Sequence, residues 1–338
     1  EFVRCYFTNN VAQMRDGGGV HLDTGAGSAL FTNCVFTANY QNTNGYNGGG
    51  IYSAIPVTAV NCTFMGNLSG AGGGALYLSK LTATNIFRNC YFTENRTTIS
   101  GTSHGSAVRQ ANGACLEFYN CQFVTNDAVD SATIFIATSG EPNVRLESCG
   151  FTNNVSTRFA GAVRSDASDG RMVITNCTFV GNVVLGVTGQ GGACDIGQAL
   201  TDVTDCLFSN NTAVVGDGGA FFSGRVGATS IFTRCTFVLN RTEAASGGAI
   251  YHNSGELQVH DSVFKANSAI LSSGGIYVAN ATNQTPKFVN CLLENNTSGR
   301  YGAAIRVLNS TDAGLISNCT FTGNSVTSNG YDGGAVHV

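Results

Sequence analysis

Cys235-Thr236-Phe237-Val238-Leu239-Asn240, followed after a short stretch by Gly247-Gly248-Ala249-Ile250, is one copy of the unit that decides the fold. The spacing Cys-x-Phe-x-x-Asn returns every 27 to 31 residues along the chain. A repeat of that length marks a solenoid whose units cannot bury their apolar faces singly and must stack. The cysteine slots are Cys5, Cys34, Cys62, Cys90, Cys121, Cys149, Cys177, Cys206, Cys235, Cys291 and Cys319, and Ser262 fills the slot without sulfur. Phe stands two residues on in every copy except at Leu293. Five residues on stands an unbroken series of asparagines: Asn10, Asn39, Asn67, Asn95, Asn126, Asn154, Asn182, Asn211, Asn240, Asn267, Asn296 and Asn324.

An apolar residue also stands three before each cysteine slot, as at Phe31, Phe87, Ile174 and Phe288. Cys and Phe, two apart, share one face of a strand, whereas a residue three back is out of phase, so a bend lies between them. Asn precedes Cys in seven copies, which suits a bend that visits the left-handed region. The Gly-Gly-Ala string opens a further short strand, and no stretch shows a helical period. These features predict an all-β chain, a parallel β-helix of about 12 coils with roughly 28 residues per coil, filling residues 1–338 as a single domain. At about 4.8 Å per coil the rod would be about 55 Å long. The asparagine column is expected inside, each amide bonding to the coils on both sides. Length variation places corner loops at 41–47, 97–104, 183–190 and 278–287.

Composition narrows the function. Charged residues are 11%, Gly is 44 of 338, Pro only 3, and the net charge is −4. So few Lys and Arg give no electrostatic footprint for nucleic acid, and no apolar run is long enough to span a bilayer.

The whole chain resembles the right-handed parallel β-helices of the pectin-lyase-like superfamily. More narrowly, Phe237 to Asn240 with Gly247 to Ile250, and Phe321 to Asn324 with Gly333 to Val336, resemble the repeats of chlamydial polymorphic membrane protein passenger regions, which are surface adhesins. The resemblance implies a right-handed coil and an extracellular or cell-surface location. The chain departs from that family in its denser cysteine ladder, and it contains no translocator barrel.

Column cysteines one coil apart would hold their Cβ atoms about 4.8 Å from each other, longer than a disulfide prefers, so they read as buried thiols packing as small hydrophobes. No CxxC or Cys/His cluster accompanies them, and no metal or cofactor is expected. Cys115 and Cys194 stand outside the column.

Thirteen Asn-x-Ser/Thr sequons are present. They point to a glycosylating secretory route, or to Asn and Thr used only to build the solenoid. Asn67, Asn95, Asn154, Asn240 and Asn296 fall in the buried column, which leaves Asn61, Asn176, Asn210, Asn280, Asn283, Asn295, Asn309 and Asn318 as candidate acceptors.

Alternation past the Gly-Gly motif points one residue per coil outward: His21, Tyr52, Tyr77, Arg109, Phe135, Arg164, Asp195, Phe222, Tyr251, Tyr277, Arg306 and His337. This aromatic and basic stripe can contact sugar rings or another protein, or it can stack on itself and shield the sheet. A second outer face, rich in Thr and Val from Thr8 to Thr322, is uncharged and suits strand packing or lateral contact.

No catalytic residues are assigned. A β-helix hydrolase or lyase needs carboxylates converging from adjacent coils, and the nearest approach is Arg164, Asp166, Asp169, Arg171 and Asp195, with Asp202 and Asp205 close in sequence. His104 reads as a solvated loop residue. The expected function is an extracellular structural or adhesive solenoid, a surface adhesin segment or filament subunit carrying glycans. The alternative is a polysaccharide-active lyase or hydrolase, which would show a carboxylate-lined groove across three or more coils. The chain is expected to be a segment of a longer polypeptide or assembly, with its ends covered by further domains or by identical subunits. A glycan or cell-surface partner is expected in either setting.

Overall fold

The structure, a computed structural model, describes residues 1–25, 27–41, 45–79, 84–98, 104–112, 115–137, 142–186, 189–224, 227–280, 285–309 and 314–338. Every strand pairing in it is parallel, and each coil contributes to three sheets. The second and third sheets hold twelve strands each, one per coil, and the first holds 23, in two segments per coil. In one coil those two segments fuse into the single strand Ile250–His260. The described residues contain no helix. The expected all-β solenoid is what the sequence forms, with equivalent residues in register: Phe36 with Phe64, Phe64 with Phe92, and so on up the stack.

Three left-handed corners turn each coil. The residue before each cysteine slot has φ between 50° and 55°, whether it is Asn33 and Asn61 or Arg4, Ser148 and Asp261. The residue before each column asparagine is left-handed too, including Glu94, Thr125 and Leu239. The third corner is the first residue of the Gly-Gly motif. At Gly247 φ is 73°, and a Cβ would sit 2.6 Å from the Ile250 carbonyl oxygen. Gly248 is needed for a different reason, because a Cβ there would overlap the carbonyls of Ser268 and Gly274 in the next coil. The motif is therefore one residue for the turn and one for close approach of two coils.

The interior consists of aligned columns. Phenylalanine rings from Phe7 to Phe264 stack at 4.7 to 4.8 Å with interplanar angles of 2° to 7°. The second apolar column meets them edge to face, as at Phe31 and Phe36, 5.5 Å apart. The thirteen cysteines are free. Column thiols lie in a chain of weak bonds: Cys34 N–H donates to Cys62 Sγ at 3.5 Å, and Cys62 Sγ–H donates to the Phe31 carbonyl at 3.5 Å. Burial pushes the Cys121 and Cys194 thiols far up, so they pack as neutral groups.

All four expected loops begin later than their sequence boundaries, because Tyr40–Gln41, Arg96–Thr97, Val183–Val184 and Ile276–Asn280 are strands. Parts of the four loops, 42–44, 99–103, 187–188 and 281–284, lie outside the described residues, as does the sequon Asn283.

Candidate functional site: the break in the outer stripe

The outward stripe is a true column. Tyr52, Tyr77, Arg109, Phe135, Arg164, Asp195, Phe222, Tyr251, Tyr277 and Arg306 are consecutive register partners. Its planar groups lie on one another. His21 stacks on Tyr52 at 4.8 Å, Tyr52 on Tyr77 at 5.4 Å, Phe222 on Tyr251 at 5.3 Å and Tyr251 on Tyr277 at 5.0 Å. Guanidinium groups continue the stack, Arg109 between Tyr77 and Phe135, and Arg306 over Tyr277. Ring faces used in this way are not open platforms. Phe135, Phe222 and Tyr277 are buried, at 4%, 6% and 9% exposure, which corrects the expectation that they present free faces to a ligand. Tyr52, Tyr77, Arg109, Arg164, Tyr251 and Arg306 are half-buried.

The column fails at one level. Asp195 alone among the stripe residues carries neither a ring nor a guanidinium. Its short side chain leaves Arg164 and Phe222 without a planar neighbour between them. Two residues on, just past the strand ends at Ile196 and Ser223, Gly197 and Gly224 stand between Asp166 and Asn253. A Cβ at Gly224 would overlap Cε1 of the Phe222 ring, so a larger residue there would have to displace that ring. The result is an open cleft of about 530 Å³. Phe159 and Phe222 form its walls, Asp166, Asp195 and Arg164 its charge, and Ser168, Gln190 and Asn253 its uncharged polar groups. These residues come from four successive coils.

Arg164 organises the charge. Its guanidinium lies 3.6 Å from the Phe159 ring centre, and its Nε is 2.6 Å from Asp166 Oδ1 and 3.7 Å from Asp195 Oδ2. The first contact is a charge-assisted hydrogen bond and the second is too long for one. Burial pushes the Asp195 carboxyl up to about 7, with Arg164 opposing and Asp166 adding to the rise. Two carboxylates on one cation, one of them holding its proton far more tightly than usual, can bind hydroxyl or amino groups and can exchange a proton near neutrality.

The other sequence candidates separate. Arg171 pairs with Asp202 at 2.7 Å and Asp205 with Arg234 at 2.7 Å, both away from the cleft, and Asp169 accepts a bond from Ser168. His104 is not a solvated loop residue. It bridges to Gly72 and Ser131, stacks on Phe135 at 4.4 Å and lies 3.5 Å from the buried Asp130. Burial, with Arg109 adding, pulls its imidazole down to about 4. The sequons Asn61, Asn176, Asn210, Asn280, Asn295, Asn309 and Asn318 are exposed, whereas Asn67, Asn95, Asn154, Asn240 and Asn296 are fully buried. Phe159, Gln190, Gly197, Gly224 and Asn253 escaped sequence reasoning, although Asp195 in a row of planar residues was the visible signal.

A family model described as right handed beta helix region matches residues 166–338. A model of the Chlamydia polymorphic membrane protein repeat matches residues 61–79, the coil in which Phe64-x-x-Asn67 precedes Gly73-Gly74-Ala75-Leu76. No curated protein matches the chain, and neither does any solved structure.

Proposed function

We propose, for a chain that belongs to the right-handed β-helix family, that it is a surface-displayed adhesive solenoid which holds a saccharide of a cell surface in the Asp195 cleft. The observation that carries this reading is the cleft itself, a local opening in an otherwise self-stacked outer column, lined by hydroxyl-matching polar groups. The repeat in residues 61–79 that is similar to the Chlamydia polymorphic membrane protein repeat supports an extracellular or surface location. N-linked glycans on the exposed sequons and self-association of rods belong to the same proposal. A glycan array tests it. The intact chain should retain a restricted set of glycans and lose them on Asp166→Ala at unchanged melting temperature. Absence of retained glycans, or retention indifferent to the substitution, would count against a binding role.

A second reading, a polysaccharide-active hydrolase, is favoured by one specific observation. Asp166 and Asp195 share the Arg164 guanidinium while the Asp195 carboxyl is raised to about 7, the kind of unequal pair that general acid and base chemistry uses. Release of reducing ends from neutral polysaccharides, abolished by Asp195→Asn, would establish it in place of simple binding.

A further inference from the structure

The charge of the cleft selects among saccharides. Two carboxylates and one guanidinium line it, so with both acids ionised the site has an excess of negative charge. That field repels a uronate and favours a cation. The distribution is uneven as well. Arg164 is committed to Asp166 by its short bond, and its contact to Asp195 is 3.7 Å. Asp195, with a side chain only 13% exposed, is therefore a buried carboxylate without a close cationic hydrogen-bond donor. A carboxylate in that position is under-compensated, and a ligand bearing a positive donor would supply what Arg164 does not.

The uncharged lining indicates what carries the cation. Ser168, Gln190 and Asn253 surround the carboxylates with donors and acceptors suited to hydroxyl groups. We propose that the cleft recognises a saccharide carrying a free amino group, with Asp195 as counter-ion to the ammonium and Asp166 and Asn253 as hydroxyl partners. This inference rests on the saccharide-binding reading above and adds the class of sugar. It sets the site apart from one built for acidic polysaccharides, where basic side chains would have to outnumber acidic ones.

Calorimetric titration of the intact chain near neutral pH with four probes tests it: a glucosamine trisaccharide, its N-acetylated counterpart, a galacturonate trisaccharide and a lysine tripeptide. The glucosamine probe should bind at least about tenfold more tightly than any other, a difference of about 1.4 kcal/mol. It should release protons as it displaces the one held by Asp195, seen as a heat that depends on buffer ionisation. Asp195→Asn should remove both the preference and the proton release without lowering the melting temperature. Tighter binding of the N-acetylated or galacturonate probe would overturn the amino-sugar assignment and leave saccharide binding standing. Binding of none of the sugars would overturn both. Equal binding of the lysine peptide would show a site for cations of any kind and would also overturn the proposal.

Discussion

Asn240 Oδ1 accepts two hydrogen bonds from Asn211, one from the backbone N–H at 3.0 Å and one from Nδ2 at 2.9 Å. The remaining Nδ2 proton of Asn211 goes back to the Phe179 carbonyl at 2.9 Å. Each column amide inside the stack, from Asn39 to Asn296, thus donates in both directions and accepts twice, from one face of the stack, and no polar atom of it is left over. This is the physical reason that nothing replaces Asn in the column. Asp lacks the donors, and Gln would place its amide one carbon too far into the core.

Replacing Asn211 by alanine removes the acceptor used by the backbone N–H and Nδ2 of Asn182 and the donor used by Phe179. Buried groups left without partners should cost roughly 1–3 kcal/mol. Denaturant unfolding of Asn211→Ala checks this, and a neutral result would mean that the coil repairs itself with water.

The buried column thiols should be silent to a thiol reagent in the native chain. Cys5, Cys115 and Cys319, which are half-buried, should react first, and the full set of thirteen only on unfolding. Rapid native labelling of Cys121 or Cys194, both fully buried, would show that the column opens.

Much of this molecule was legible because stacking converts sequence period into spatial column. Cys, Phe and Asn repeat because each sits against its own copy one coil away, so the fold could be read from identity at fixed spacing. The corner before the column asparagine was not legible. It holds Ala38, Glu94, Thr125 and Leu239 in the left-handed region, a conformation imposed by the flanking buried Phe and Asn and not by the residue itself. Nor did alternation reveal that Phe135 and Phe222 are covered, since burial of an outward residue depends on neighbouring corners. His104 escaped for the same reason: its sequence neighbours read as loop, while its bridge partners lie in other coils.

Asp195 gives stability an unusual pH dependence. Its carboxyl titrates at about 7 in the folded chain against 3.8 ordinarily, so between these values the native state holds a proton that the unfolded chain has lost. The stabilisation is complete below the lower value and is lost as pH rises through the upper one. With Arg164 and Asp166 as the charged groups facing it, Asp195→Asn should match the parent at about pH 4 and be the more stable at about pH 8. Thermal melts of both proteins across that range measure it, and a constant difference would remove Asp195 as the source.

In a glycosylating host, peptide mapping should place any N-linked sugar on the exposed sequons Asn61, Asn176, Asn210, Asn280, Asn295, Asn309 and Asn318. None should lie on Asn67, Asn95, Asn154, Asn240 or Asn296, whose side chains are spent inside the column. Sugar on any of these five would mean that modification precedes folding of that coil.

Filling the gap at Asp195 tests most directly whether the outer column opens there to take a sugar. Asp195→Phe should restore an unbroken planar stack from Arg164 to Phe222. Saturation-transfer NMR with the glucosamine trisaccharide should show strong transfer from the parent chain to one sugar ring and none from Asp195→Phe, whose melting temperature should not fall. Equal transfer from both proteins would mean that the sugar is not held at Asp195.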